Sequence, residues 1–289
     1  MKDFYKSLTI TIVLYQEDFD LLSKCLNNLK NFKVILIDND CNINLKKKVQ
    51  SKYKIHKYIL NNKNLGFSKA INQGIRGSDT DYILNLEADC IIEEDTIYKL
   101  YEAINNYKDC FITTPTMFNE NLELTHSGGA LMEKNLRYEV LKLEGDVCVD
   151  FPMTAAILFR KQDMINIGLF DEKLFIYFPD CDIGRRIKKI KKSVIQIFNT
   201  KAIHTMGNLK IRNSLKKVFY RNYYFTLDEL IYYHKENLHF KLLEKLSNKI
   251  PNLIAKSILN CLLLRFDKSN EYLSRVLAYY TFKKNYLKK

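Results

Sequence analysis

Residues 82–89, Tyr82-Ile83-Leu84-Asn85-Leu86-Glu87-Ala88-Asp89, form an apolar run that ends in two carboxylates spaced two positions apart. A run of this length and character reads as a strand covered on both faces, the usual state of a parallel sheet flanked by helices. In extended backbone, Glu87 and Asp89 face the same side. Ligand sites of open α/β sheets lie where strands run out, which is where this pair falls. Two converging carboxylates repel unless a cation or a proton joins them. Hard oxygen ligands suit Mg²⁺ or Mn²⁺, which bind through carboxylates and a substrate's phosphates. The competing reading is an ordinary solvated strand end.

Upstream of this stretch, apolar strands alternate with helical patterns. Residues 9–14 (TITIVL) and 34–37 (VILI) read as buried strands, and 54–58 as a weaker third. Phe19, Leu22, Leu26 and Leu29 recur at helical spacing and mark a helix with one buried stripe. A turn-rich loop, 61–67 (NNKNLGF), precedes a helix expected over 69–75 with Ser68 as its cap. Another helix is expected over 93–105. This order predicts an α/β fold with an open, mostly parallel central sheet and helices on both faces. Downstream, short strands are expected at 111–114, 128–132, 157–159 and 194–198, and helices at 163–167 and 182–190. The predicted organisation is an α/β domain over 1–208, divided near residue 110, and a helical region over 209–289.

The whole chain of 289 residues carries 47% hydrophobic and 27% charged residues, the composition of a folded globular protein. Its seven cysteines form no CxxC pair, so they read as small buried hydrophobes of a reducing compartment rather than a zinc site. The N-terminus is polar, and the apolar run at 8–15 is too short for a signal-peptide core, which predicts a cytoplasmic protein. The net charge is +13, but residues 209–289 hold 17 basic and 6 acidic side chains, a net +11. Such a field attracts anionic partners: a membrane surface, a phosphorylated lipid or nucleic acid. Tyr223, Tyr224, Phe225, Tyr232 and Tyr233 crowd this region, and tyrosines tolerate a water–hydrocarbon boundary. The apolar helix expected to start at Pro251 and end in Leu262-Leu263-Leu264-Arg265 is too short to span a bilayer. It reads either as core or as the apolar face of a helix lying on a membrane.

Three further features carry chemistry. Asp180 and Asp182 follow the aromatic run Phe175-Ile176-Tyr177-Phe178-Pro179. Apolar neighbours raise a carboxylate's affinity for a proton, as a general base requires, although both residues equally suit a helix start. His204 follows a strand and is either structural or, if it folds back onto Asp89, a metal ligand. Asn64-Leu65-Gly66 before a helix offers backbone amides to an anion, with Lys69 close by. There is no GxGxxG fingerprint and no GxxxxGK[ST] loop, which argues against a nicotinamide enzyme or a P-loop ATPase.

Together these segments resemble the family 2 glycosyltransferases, in particular their rhamnosyltransferase-like branch. The resemblance runs from about residue 9 to residue 207. It rests on 11–15 and 34–39 as the first two strands, 62–74 (NKNLGFSKAINQG) as donor loop and helix, 82–89 as the metal-binding strand end, and 168–178 leading to Asp180. It implies a GT-A fold, with a donor-binding half over about 1–110 and an acceptor-binding half over 111–208. On this resemblance Tyr15, Asp38 and Asn39 surround the base and ribose, while Asn64, Gly66 and Lys69 line the donor. Asp89 meets a Mg²⁺ or Mn²⁺ ion, with Glu87 beside it and His204 on the far side. Asp180 becomes the general base of a single, anomer-inverting displacement. Thr154 and Asp182 fall on the acceptor side; Asp150, after Val147-Cys148-Val149, reads either as an acceptor contact or as an ordinary strand-end residue. The implied partners are a dTDP- or UDP-sugar donor and a bacterial surface-polysaccharide or lipid-linked glycan acceptor, met at the inner face of the plasma membrane. The chain departs from the family pattern at Glu87-Ala88-Asp89, at Pro179-Asp180 and at Met153-Thr154-Ala155-Ala156.

Three rival readings follow from the same residues. A catalytically inactive sugar-nucleotide-binding partner would suit the altered positions. A nucleotidyltransferase would share the sheet and metal. A nucleic-acid-binding protein would suit the basic tail, but no docking motif is present and the acidic strand ends would go unused, so no nucleic acid is expected.

Overall fold

The structure is a computed structural model that describes residues 2–125, 128–131, 144–205, 214–246 and 249–287. Met132 of one expected strand, Met206 and Gly207 after His204, and the terminal Lys288 and Lys289 lie outside the described residues. The chain forms two compact units, one of Met1–Asp171 with Asp180–Asn208 and one of Glu172–Pro179 with Leu209–Lys289.

The first unit opens with a short helix α1 (Lys2–Ser7) that leads into β1 (Leu8–Leu14). There follow α2 (Phe19–Asn27), β2 (Lys33–Asp38), α3 (Ile43–Lys52), β3 (Lys57–Leu60), α4 (Phe67–Gly77) and β4 (Tyr82–Glu87). After β4 come β5 (Cys90–Ile92), α5 (Glu94–Asn106), β6 (Cys110–Phe118), β7 (Gly128–Gly129), β8 (Val147–Val149) and β9 (Phe151–Pro152). The unit ends with β10 (Ala156–Arg160), α6 (Lys161–Asn166), α7 (Pro179–Lys189), which starts at the boundary, and β11 (Ser193–His204).

The main sheet runs β3-β2-β1-β4-β10-β6-β11-β5, with β8 also on β11. It is parallel through β3, β2, β1 and β4 and again between β6 and β11. Strand β10 is antiparallel to both neighbours, as are β5 and β8 to β11. The sheet is therefore mixed, with the expected parallel character confined to its first half and one later pair. Its central strands are buried on both faces, whereas β3 and β8 are only partly covered. Leu8, Ile10, Ile12, Leu22, Leu26, Leu84, Leu86 and Leu158 belong to one core, and Ile71, Ile75, Ile83, Ile157, Phe159 and Phe170 to another.

Several elements differ from the sequence expectations for local reasons. Helix α4 begins one residue before Ser68, with Gly66 at its N-cap in a positive-φ conformation (φ 85°) that favours glycine. Ser68 is thus inside the first turn, fully buried. Helix α3 is weakly amphipathic, with only Leu45 and Val49 buried, and its apolar spacing was too sparse to stand out. Helix α1 is held by Phe4, which packs against Phe32, Tyr98 and Tyr101, contacts made by residues distant in sequence.

The second unit contains α8 (Ser214–Lys235), α9 (His239–Leu246), α10 (Lys249–Leu262), α11 (Phe266–Phe282) and a final π-type turn, Lys283–Leu287. Helices α8 and α11 are joined by Tyr223 Oη donating to Thr281 Oγ1 at 3.0 Å. The aromatic crowd of α8 packs internally. Tyr224 stacks on Phe175 with ring centroids 3.9 Å apart, Tyr232 stacks on Phe178, and Tyr232 and Tyr233 are buried. Tyr232 and Tyr233 are thus engaged inside the unit, whereas Phe225 stays partly exposed. The turn at 175–177 is fastened by Asp228, whose buried carboxylate accepts the N–H groups of Phe175, Ile176 and Tyr177 at 3.1, 2.9 and 2.9 Å. Burial pushes its pKa up to about 6, against the pull of those three bonds.

Removing the Asp228 carboxylate orphans three donors at once. We expect Asp228→Ala to lower stability by about 2–4 kcal/mol in urea denaturation, and Asp228→Asn, which keeps one acceptor oxygen, by less. Equal stability of the alanine variant and the parent would refute this account.

Candidate active site

Parallel strands in register bring their ends to one edge. Leu14 of β1 lies opposite Asp38 of β2, and Val13 lies opposite Glu87 of β4. Tyr15, Asp38, Asn39 and Glu87, separated in sequence by up to 72 positions, therefore leave the sheet at the same edge. The Asn39 N–H donates to Leu14 O at 2.8 Å, which ties two of these ends together.

The carboxylate pair acquires its third member from the far end of the unit. Strand β11 returns antiparallel to β5 with His204 opposite Cys90, one residue past Asp89. His204 Nε2 then lies 3.1 Å from Glu87 Oε2 and 3.2 Å from Asp89 Oδ1. One ligand atom from each of the three residues falls within 4.8 Å of the others. Thr205 reinforces the junction, its N–H and hydroxyl donating to Asp89 O at 3.1 and 3.2 Å. Burial alone would lower the His204 pKa, but hydrogen bonds and charge from Asp89 and Glu87 outweigh it and push it up to about 10. Two carboxylates and an imidazole are a donor set that Mg²⁺ or Mn²⁺ accepts, and the protonated ring occupies the position of the cation's charge. The cluster fits a divalent metal.

A fourth group was missed in the sequence. Glu17 follows β1 after a turn through Gln16 (φ 57°). Burial, then the charges of Asp89 and Glu87, push its carboxyl up to about 7. Its position three residues past the end of β1 was the available signal.

The donor loop is built from amides. Asn39 Nδ2 donates to Gly66 O at 3.1 Å, and Asn61 Nδ2 donates to Asn39 Oδ1 at 2.9 Å. Asn61 and Gln73 exchange bonds of 2.8 and 3.0 Å, and the Gly66 N–H donates to Asn64 Oδ1 at 2.9 Å. Asn39 thus shapes the loop with both ends of its amide. Asp38 is buried; its Oδ1 accepts from Asp40 N at 2.8 Å and its Oδ2 from Tyr58 Oη at 2.8 Å. Tyr15 is half-buried beyond β1, and Lys69 is exposed in the first turn of α4.

On the other side of the site, Asn85 inside β4 donates to Thr154 O at 2.7 Å, and the Glu87 N–H donates to Ala155 O at 2.9 Å. These bonds fix the 153–156 turn beside Glu87. Asp180 opens α7 half-buried, its Oδ1 accepting the Cys181 N–H at 2.8 Å. Burial pushes its pKa up to about 6, backbone bonds restrain the rise, and the charge of Glu87 adds to it. Asp182 is fully buried and binds Arg186 Nε and Nη2 at 2.9 and 2.8 Å. Arg186 in turn donates to the carbonyls of Ile167 and Leu169 at 2.8 and 2.6 Å, so this pair anchors α7. Asp150 accepts from Lys188 Nζ at 3.0 Å and from Leu131 N at 3.2 Å. Helix α7 approaches it closely: a Cβ on Gly184 would collide with Asp150 O and lie 2.8 Å from Phe151 Cα.

A cation binding through His204 must displace its proton. Because that group titrates near 10, metal affinity should rise with pH by about tenfold per unit between pH 6.5 and 8, with about one proton released. Calorimetric Mn²⁺ titrations in buffers of different ionisation enthalpy measure both quantities. Affinity that is flat with pH, or a pH slope retained in His204→Ala, would remove the imidazole from the site.

Comparison with known proteins agrees with this geometry. The chain is 26% identical over 212 residues to the dTDP-rhamnosyl transferase RfbF of Shigella flexneri, covering 70% of each. Its fold matches GalNAc-T7 solved with UDP, GalNAc and Mn²⁺ (TM-score 0.57, 15% identity), over 78% of this chain and half of that one. It also matches the mannosyltransferase PcManGT of Pyrobaculum calidifontis solved with GDP-Man and Mn²⁺ (TM-score 0.55, 12% identity), over 98% of this chain and 88% of that one. Residues 9–164, more than half of the chain, fit the family model described as Glycosyl transferase family 2. With a GT-A-like fold and a divalent-metal cluster at the end of β4, the chain belongs to glycosyl transferase family 2, and the protein is a glycosyltransferase.

Proposed function

We propose that this enzyme moves a sugar, with rhamnose the first choice, from a nucleoside-diphosphate donor to a bacterial surface-polysaccharide or lipid-linked glycan, inverting the anomeric centre. The observation that carries the reading is Asp180, a half-buried carboxylate that feels the charge of Glu87 and thus lies within electrostatic reach of the metal cluster. Its raised pKa of about 6 suits a base that is ionised at neutral pH yet holds a proton well. The choice of rhamnose and of a dTDP donor is supported by the likeness to the dTDP-rhamnosyl transferase of Shigella flexneri; UDP-hexoses come next.

In this mechanism Tyr15 contacts the base and ribose, the buried Asp38 shapes that edge from behind through Tyr58 and the Asp40 N–H, and Asn39 acts by holding Gly66 in place. Asn64, Gly66 and the first turn of α4, with Lys69, face the diphosphate, where helix N–H groups favour an anion. Asp89 and His204, with Glu87 beside them, would hold the metal, which when bound would supply positive charge against the departing diphosphate. Asp180 takes the proton of the acceptor hydroxyl as its oxygen bonds to the anomeric carbon. The bond from that carbon to the diphosphate oxygen breaks, and the nucleoside diphosphate leaves. Thr154 and Asp150 lie on the acceptor side, and Asp182 positions α7 through Arg186. No helix among the described residues is long and apolar enough to cross a membrane. We place the enzyme on the cytoplasmic side as a peripheral protein, where a lipid-linked acceptor is presented.

A donor panel with and without Mn²⁺ tests the assignment, with tightest metal-dependent binding expected for dTDP-rhamnose. Asp180→Asn should keep fold and donor affinity and lose about 10²–10⁴ in turnover. In the parent enzyme, kcat/KM should fall as pH drops through about 6, the value at which Asp180 becomes protonated. Undiminished transfer by the asparagine variant would remove Asp180 as the base.

A further inference from the structure

The α10–α11 hairpin is built with its polarity reversed. Between the helices, Ser257 and Ser269 exchange hydrogen bonds: Ser257 Oγ donates to Ser269 O at 3.0 Å and Ser269 Oγ to Ser257 O at 2.8 Å. Ser257 is buried, whereas Ile258, Leu259 and Leu262 of the same helix are exposed. The exposed stripe continues over the tip, with Leu262 75% and Leu264 74% accessible and Leu263 and Phe266 about half so. The sequence alternative in which this helix is core is therefore corrected. A soluble helical hairpin places leucines inward and serines outward; this one spends its small polar side chains on close helix contact and offers its large apolar ones to the surroundings.

The flanks of the tip are cationic. Lys256, Arg265 and Lys268 are exposed around it, with Asp267 as the acidic neighbour, and residues 209–289 carry a net +11. At 14 residues, α10 measures about 21 Å, short of the ~30 Å a bilayer core requires, so the hairpin can enter one leaflet but not cross. An apolar end with lysine and arginine about it matches acyl chains beneath anionic headgroups, with the long Arg265 side chain inside the tip able to reach back to the phosphates.

We infer that the α10–α11 tip, Ile258 to Phe266, is a membrane-docking element that inserts into a leaflet containing anionic lipid. The inference is independent of the roles given to Asp180 and the metal cluster, so either can fail alone. Full-length protein should float with vesicles of phosphatidylcholine mixed with phosphatidylglycerol, and poorly with phosphatidylcholine alone. The Leu262→Ser/Leu264→Ser/Phe266→Ser variant should lose at least about tenfold in partitioning while keeping its circular dichroism and its donor binding. Cys261, exposed at the end of α10, permits a second measurement with the apolar tip intact. An environment-sensitive dye on Cys261, with Cys41 and Cys148 replaced by serine, should shift to the blue on adding anionic vesicles. Absence of flotation, equal flotation of the triple variant, or an unshifted dye would overturn the proposal. So would a dimer of the parent that the triple variant dissolves, since a second copy would then be what covers the tip.

Discussion

Carboxylates of like charge repel, and the edge of this sheet gathers Glu17, Glu87 and Asp89 where burial strengthens that repulsion. His204 makes the arrangement tenable. Its ring, protonated at neutral pH, lies within about 3 Å of two of the three, and Glu17 answers the remaining charge by holding its own proton more tightly. The site is thus charge-compensated by protons in a way that a divalent cation can take over. A bound cation would exchange one form of positive charge for another. Burial of the imidazole, a cost in itself, is repaid by the two carboxylates that face it.

That constraint explains why the fold closes as it does. The parallel strands β1, β2 and β4 align their ends, and β11, parallel to β6 and two antiparallel steps from β4, runs in the same direction and ends at the same edge. The antiparallel pairing of β11 with β5 returns the chain to Asp89, and the antiparallel β10 returns Thr154 and Ala155 to the end of β4. The mixed sheet is the means by which residues from both halves of the unit meet. Buried polar groups follow the same economy: Asp182 anchors α7 through Arg186, and Asn39, Asn61 and Gln73 brace the loop at Gly66, each with its hydrogen-bonding capacity engaged.

The second unit obeys different rules. Several of its aromatic side chains are consumed internally, with Phe175 and Phe178 stacked on Tyr224 and Tyr232 of α8 and Asp228 fastening the turn at 175–177. Its leucines, which resemble core in a one-dimensional reading, are left outside at the α10–α11 tip. Composition was the same in either case; which face a helix turns inward depends on the neighbour it meets.

Local pattern determined a good part of this protein. The strands at 9–14, 34–37 and 82–87, the helices at 19–27 and 94–106, and the carboxylates at the end of β4 are all legible because burial on a regular backbone imposes a period on the side chains. The order of those segments was enough to indicate the family. What tertiary structure alone decided are the encounters between distant residues: His204 with Glu87 and Asp89, Glu17 beside them, Arg186 on the carbonyls of Ile167 and Leu169, and Asp228 beneath 175–177. No period encodes such contacts, because strand pairing across more than a hundred residues depends on how the entire sheet closes.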